Sequence, residues 1–517
     1  MKNEKKKDNW KLVAGVLLAL QLLFGIMTVG VLTWVDFIPV VYIVLIALIF
    51  LWLLTVVYYL FFSGIKRKRV KKEKRKRVLS VKRGTGSFLC LLVCIGCVIA
   101  SSMLVKAAET IRQVANRIIV TDTTAVYVQA EDPAETTLDA KDYTFAITEK
   151  FDYEHTAKTI EKINEEVQTS IKTVSYDSIF DMVDALFAGE VDAMIMNVAY
   201  VDLIESQEEY EDFSGKTKTL FSHDIETVVV QEDEGMKPIK SLTTEPFVVY
   251  ISGSDTRASG LSAKTRSDVN ILAVVNPTTK QVLLINTPRD YYVELSNHPG
   301  QMDKLTHCGV YGIDCSMKTL AQLYDEPVDY YAKVNFRGFE TLIDAIGGVT
   351  IESEKSFTTF IDGYHIAKGT NQMNGAMALA YARERRAFAD GDNARGRHQM
   401  QMISAIIRKV SSGTTVLTNY SSILASMEGT LATNMSSEEV SDLVKMQLTD
   451  PASWNVKSFS VSGEGSKKYV YSMPGKLTYV TLQDETTISY AKLLINKTMD
   501  GIILTDEDMI QPVYSGM

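Results

Sequence analysis

The chain has 517 residues, 46% hydrophobic and 23% charged, with 54 Lys and Arg against 63 Asp and Glu for a net charge of −9. That length suits roughly two to four domains, and the composition excludes a collagen-like or disordered chain, a disulfide-dense miniprotein and a polytopic transporter. Charge is divided along the chain: residues 1–87 carry 17 Lys and Arg against Glu4, Asp8, Asp36 and Glu73, a net of +13, leaving −22 for the rest.

Residues 1–11 are basic, and residues 12–34 are apolar apart from Gln21 and two threonines. Two further apolar runs cover 37–62 and 88–105. Each is near the ~20 residues a membrane helix needs, and the second long run argues against a cleaved signal peptide. Five lysines precede the first run, 12 Lys and Arg lie in the loop 63–87, and the link around Asp36 and Pro39 has no cation. The positive-inside rule then places residues 1–11 and the loop in the cytoplasm and everything after about Val105 outside. Anionic membrane lipids are natural partners for the loop. Nucleic acid is disfavoured, since the loop has no aromatic residues and no helix-turn-helix pattern.

Residues 106–120 read as a helical stalk. From 121 to 234 the chain alternates strand-like runs (143–147, 171–174, 193–198, 227–230) with helical ones (154–167, 178–188), predicting a small α/β accessory domain. Within it, 186–197 reads as helix, glycine stop and buried strand. Ser214-Gly-Lys-Thr is no phosphate loop, because Tyr210 stands where its first glycine belongs. A polar linker, 232–246, leads to a second domain at 245–505, with residues 506–517 as a tail. Strands are predicted at 247–251, 269–275, 282–286, 330–335 and 477–482, and helices at 313–324, 339–346, 376–381 and 392–410, with a last one capped by Asp484. The expected fold is α/β, a central mixed sheet flanked by helices.

Chemistry-bearing residues gather at the ends of these elements. Arg383, Arg385, Arg386, Arg395 and Arg397 fall within fifteen residues of an otherwise acidic region, while Arg266 and Arg289 adjoin strands. Guanidinium forks suit phosphate oxygens, and ligands of α/β sheets bind where strands end. Asp255 and Asp268 reach one rim if their strands are antiparallel, and paired carboxylates near phosphate suit Mg²⁺. Asp392 could cap the long helix, on which Arg395, Gln399 and Met402 share a face, suggesting a charged head with an apolar extension. The same arginines could equally be a salt-bridged surface, and the Met and Ile stripe plain core. Six scattered histidines match no zinc motif, and no nucleophile elbow or dinucleotide fingerprint is present. Cys90, Cys94 and Cys97 lie in the third apolar run. Cys308 and Cys315 admit a disulfide outside the cell, or two small buried thiols.

Eight segments carry a resemblance: SGSDTR (252–257), RSDVNIL (266–272), INTPRD (285–290), MDKLTH (302–307), DYYAKVNF (329–336), IGGV (346–349), ARER (382–385) and GDNARGRHQ (391–399). In order and spacing they resemble the motifs of the LytR-CpsA-Psr family over about residues 245–501. Three N-terminal spans and an extra outer domain are similar to its streptococcal capsule type. The resemblance implies an enzyme moving a glycopolymer, here capsular polysaccharide, from a polyprenyl-pyrophosphate carrier to peptidoglycan, with capsule-assembly proteins as further partners. It implies that Arg266, Arg289, Arg383, Arg385, Arg395 and Gln399 hold the pyrophosphate and that Asp255 and Asp268 hold Mg²⁺. The prenyl tail would lie between sheet and helices. Arg289, Arg383, Arg385 and Asp392 would be catalytic, with Asp392 or Asp290 as the base, and water as nucleophile would give a pyrophosphatase side activity. Two other readings remain open: a wall teichoic acid ligase with the same site, and a non-catalytic regulator or scaffold of capsule assembly.

Overall fold

The computed structural model describes residues 10–35, 38–63, 72–116, 118–229, 241–254, 261–262, 264–412, 423, 426 and 429–510. They form two compact units, Met1–Arg112 with Ser437–Pro451, and Gln113–Ser436 with Ala452–Met517.

The first unit holds α1 (Trp10–Val35), α2 (Val40–Phe62) and α3 (Lys72–Asn116). Trp10–Val35, Val40–Phe62 and Arg77–Lys106 are each long and apolar enough to cross a membrane. Side chains such as Leu23, Ile49, Trp52 and Phe88 are exposed, an apolar surface suited to lipid. Inside, Ala14, Val57, Phe61 and Cys90 pack together. A Cβ on Gly25 would fall 2.0 Å from the Phe50 ring, so a small residue is what lets α1 and α2 approach. One sequence expectation changes here. The basic stretch from Lys72 onward is helix continuous with the third span rather than loop, as its Lys, Arg and Glu content favours. The same helix runs on to Asn116, as the helical stalk expected from the third span, and the first strand takes over at Ile118. Helix Ser437–Thr449 also belongs to this unit, with the Tyr42 hydroxyl donating to the Leu448 carbonyl at 3.0 Å.

The second unit begins with β1 (Ile118–Gln129), β2 (Thr144–Ile147), α4 (Tyr153–Val167), β3 (Lys172–Ser175), α5 (Ile179–Ala188), β4 (Ala193–Asn197), α6 (Val201–Glu205), α7 (Phe213–Lys216) and β5 (Thr217–Val229). The strands form a sheet ordered β3-β2-β4-β1-β5. On one face Ile163 and Val167 of α4 meet Val126, Phe145 and Ile195. On the other, Phe180, Val183 and Leu203 meet Ala125, Met194 and Met196. Gly189 ends α5 at φ +71, the left-handed stop that glycine takes most readily. This second cluster continues into Val310, Val470, Met473 and Val480, so the accessory region and the region after it share one apolar core.

The region after the accessory one comprises β6 (Phe247–Ser254), β7 (Val269–Asn276), β8 (Gln281–Asn286), β9 (Tyr292–Glu294), β10 (Met302–Lys304), α8 (Leu305–Cys308), α9 (Ile313–Tyr324), β11 (Tyr330–Asn335) and α10 (Phe336–Ala345). There follow β12 (Val349–Ser353), β13 (Phe357–Thr358), β14 (His365–Ile366), β15 (Gly369–Met373), α11 (Gly375–Arg383), α12 (Gly391–Ser411), β16 (Leu431–Thr433), β17 (Asn455–Ser460), β18 (Gly463–Val470), β19 (Met473–Gln483) and helix Glu485–Met499. The main sheet runs β16-β11-β6-β7-β8-β17. It is mixed: β11 is parallel to β6 and β17 to β8, and the other pairs are antiparallel. Tyr250, Leu272, Val274 and Ile285 pack with Leu320, Tyr324, Ala491 and Leu494 of α9 and the last helix. The sequence placed 477–482 in this sheet. It lies instead in β19, which pairs with β18 as a separate ribbon, and the sheet edges are β16 and β17, too short and polar to read as strands.

Candidate active site

β6 and β7 are antiparallel with Gly253 opposite Val269, and the Asp268 amide donates to the Gly253 carbonyl at 2.8 Å. β8 runs back beside β7, and β11 runs parallel to β6. The ends of β6, β8 and β11 and the start of β7 therefore share one rim of the sheet, which brings SGS, RSD, TPRD and the start of α10 together. Asn335 caps α10 by accepting from the Gly338 amide at 2.8 Å.

Over this rim lies a cavity of about 430 Å³ whose walls include Arg266, Arg289, Arg383, Arg385, Arg395 and Gln399. All six residues assigned to pyrophosphate thus line one space, together with Asp268 and Phe336. Arg289 donates from Nη1 to Asp268 Oδ1 at 2.7 Å and sets Nε 3.5 Å from Asp290. Burial alone would raise the Asp268 pKa, but Arg289, Arg395 and Arg266 hold it below the usual carboxylate range. Asp290, 3.1 Å from Lys304 Nζ, is likewise kept low against its burial by Arg289 and Lys304. Burial lowers the pKa of Arg395, which pairs with Asp392 at 2.8 Å, yet a guanidinium stays charged. Arg383 stacks over the Phe336 ring at 4.3 Å. Among the described residues, the buried Nε atoms of Arg266 and Arg289 have no hydrogen-bond acceptor. The guanidiniums that converge on this cavity suit an anion.

Arg386 and Arg397 are not part of this lining. Arg386 lies over the Phe360 ring at 3.7 Å and Arg397 pairs with Asp390 at 2.5 Å, the surface role that the sequence left open for the whole cluster. Asp392 does not cap α12: Asp390 holds the cap position, and Asp392 sits in the first turn, turned to Arg395. Met402 is core, fully buried with Ile343, Ile346 and Tyr381, so the apolar stripe is no open channel at that point. Asp255 lies outside the described residues. Cys308 and Cys315 are both buried thiols here, not a bridge, and the hydrogen bond between them holds the Cys315 thiol below its ordinary value while Cys308 is raised. Among the described residues no three His, Cys, Asp or Glu side chains gather as a metal site.

What the accessory region adds to the site was not legible in the sequence. Asp202, Glu205 and Ser206, from α6 and its end, complete the cavity wall, and Asp202 lies 3.8 Å from Arg266. The segment leading to Arg266 is held by the same region. The Thr121 amide donates to the Leu261 carbonyl at 3.3 Å and Ser262 donates to Asp122 at 2.8 Å. Lys264 donates to Asp152, which also meets His155 and Asn197, each at 2.7 Å. Part of MDKLTH is architectural: buried Asp303 and His307 join Ser472 of the ribbon.

The LytR_cpsA_psr family model matches residues 205–487, more than half of the chain. The chain belongs to the LytR-CpsA-Psr family. Among this LytR-CpsA-Psr protein's relatives is the polyisoprenyl-teichoic acid–peptidoglycan teichoic acid transferase TagU of Bacillus cereus (strain AH820), 32% identical over 225 residues, or 43% of this chain and 71% of the relative. TagU of Bacillus mycoides (strain KBAB4) is 29% identical over 259 residues, covering 50% and 82%. The crystal structure of B. subtilis TagV aligns with a TM-score of 0.43 at 26% identity, over 50% of this chain and 99% of that one.

Proposed function

We propose that this LytR-CpsA-Psr protein transfers a glycopolymer from a polyprenyl-pyrophosphate carrier to peptidoglycan. The observation that carries this reading is the convergence of five arginines and Gln399 on one cavity at the strand rim. In the proposed step an acceptor hydroxyl attacks the phosphorus nearer the glycan. The P–O bond to the prenyl phosphate breaks, the prenyl phosphate leaves, and a phosphodiester remains. Arg289, Arg383 and Arg385 would offset charge growing on the phosphoryl oxygens, with Arg266 and Arg395 holding the diphosphate. Both candidate bases are ion-paired, Asp290 with Arg289 and Lys304 and Asp392 with Arg395, but the Asp392 side chain is 37% exposed against 14% for Asp290, so Asp392 is assigned the proton of the attacking hydroxyl. Water in place of that hydroxyl gives the pyrophosphatase side reaction.

Asp268, paired with Arg289 at 2.7 Å, keeps its charge in the cavity wall, and a carboxylate there suits Mg²⁺. Asp268 and Asp255, directly after β6, would hold the ion. When bound, the ion would add positive charge at those oxygens. The proposed orientation has residues 1–11 and the basic loop in the cytoplasm and both outer regions outside. It is supported by the contact of helix Ser437–Thr449, a segment assigned to the outside, with Tyr42 beside the cation-free link.

The three-span architecture favours capsular polysaccharide as the donor. A second reading, wall teichoic acid, is favoured by the teichoic acid transfer for which the TagU relatives are named. The test is complementation of a deletion strain with Arg289→Ala and Arg395→Ala chains, measuring wall-bound capsule sugar and wall-bound teichoic phosphate separately. Loss of one polymer names the donor. Intact attachment of both, with function lost only when the basic loop is deleted, would refute the transferase reading.

A further inference from the structure

A second cavity, of about 740 Å³, adjoins the arginine pocket, and the two share Asp202 and Arg266 in their walls. Its size falls in the range of roughly 300–1,000 Å³ typical of ligand sites. One wall is a face of the β1–β5 ribbon. Directly opposed antiparallel residues point to the same side, and the next pair to the other. Thr121 opposite Glu226 and Thr123 opposite Asp224 therefore build a polar ladder, in which Thr123 donates to Asp224 at 2.7 Å. The 262–266 segment supplies Ser262, Thr265 and Arg266 to the same cavity. Thr265 is 6% exposed, and among the described residues its hydroxyl has no hydrogen-bond partner. Buried hydroxyls are nearly always partnered, and Thr265 sits unpartnered in the wall of this cavity.

The chemistry of the lining selects the ligand class. Hydroxyls and carboxylates accept from, and donate to, a ligand rich in hydroxyl groups. An apolar chain would leave them unpaired. Asp202, Asp224 and Glu226 outnumber Arg266, so a phosphate-rich chain would be repelled. We propose that this cavity binds uncharged sugar residues flanking the diphosphate, making the accessory region one half of a glycan-binding cleft. The inference rests on the transferase reading for the diphosphate next door. The sugars could belong to the lipid-linked donor or to the acceptor glycan, which share this chemistry.

The test uses the full chain in lipid nanodiscs and three probes: a polyprenyl pyrophosphate without sugar, the same lipid bearing a neutral tetrasaccharide, and soluble chitotetraose. The variants are Asp224→Asn with Glu226→Gln, and separately Thr265→Val. Retained binding of the bare lipid shows that the variants fold. The sugar-bearing lipid should bind the wild type more tightly than the bare lipid and lose about tenfold in the variants, which assigns the cavity to donor sugars. Loss confined to chitotetraose assigns it to the acceptor. If neither saccharide probe distinguishes wild type from variants, the cleft is refuted. Failure of the bare lipid to bind wild type would instead overturn the transferase reading, and chitotetraose would still decide the cleft.

Discussion

Asp268→Asn isolates how the pocket keeps five guanidiniums close together. The Arg289–Asp268 pair is 2.7 Å long, with side chains 21% and 16% exposed, so solvent screens it little. Unit charges about 4 Å apart attract by about 4 kcal/mol at an effective dielectric of 20. Asparagine keeps an acceptor but not the charge, and Arg395 and Arg266 are left facing Arg289. We expect a stability loss of about 2–4 kcal/mol at pH 7.5, near the range for breaking a buried pair. Because the folded Asp268 pKa is lowered, its contribution is complete above the unfolded value of about 3.9 and fades as pH falls through the lower folded value. The gap between wild type and variant should hold down to about pH 5 and close only below about pH 4. Denaturant unfolding of the full chain in detergent measures it. In chelator the variant should bind bare polyprenyl pyrophosphate more tightly, since one negative charge has left the site. A loss under about 0.5 kcal/mol, as for an exposed pair, together with weaker chelator binding, would refute this account of the pocket.

Three further outcomes are expected. A Cβ on Gly396 would lie 2.3 Å from Asn286 Nδ2, so Gly396→Ala should push α12 off β8, costing about 1–3 kcal/mol and lowering polymer transfer through displaced Arg395 and Gln399. His398 is caged by Phe357, Tyr381 and Phe388, and burial lowers its pKa to about 4. Stability should therefore fall as pH drops from about 6.5 towards 4, by about 2 kcal/mol at pH 5, and Phe at this position should remove that acid sensitivity in unfolding curves. Lys264→Met leaves Asp152 buried without its lysine. It should cost about 2–4 kcal/mol and raise KM more than it lowers kcat, because the tether to Arg266 is loosened.

The elements with strong periodicity or clear stops were legible in advance. Helix Ile313–Tyr324 and strand Tyr330–Asn335 match their predicted limits, and Gly189 ends α5 where the sequence placed its stop. The arginine positions stood out because each lies near the end of an element in an acidic surround: Arg266 before β7, Arg289 after β8, Arg383 and Arg385 at and after the end of α11, and Arg395 early in α12. Illegible were features set by chain-distant partners. β16 and β17 are strands only because β11 and β8 supply ladder partners. Asp202 and Glu205 look like surface acids until α6 is docked over the rim. Residues 477–482 have the alternation of a sheet strand, but alternation does not say which sheet.

The shared cluster of Val183, Val310, Met473 and Val480 bears on how this protein can be divided. Removing residues 113–240 to obtain a minimal catalytic fragment would strip the cover from Met473 and Val480 and delete three residues of the pocket wall. Such a fragment would be sticky and would bind anions with altered selectivity, for reasons unrelated to native chemistry. The smallest piece that preserves the reaction chamber begins near Gln113. The two regions of this unit work as one instrument, and substitution in either can retune what the other accepts.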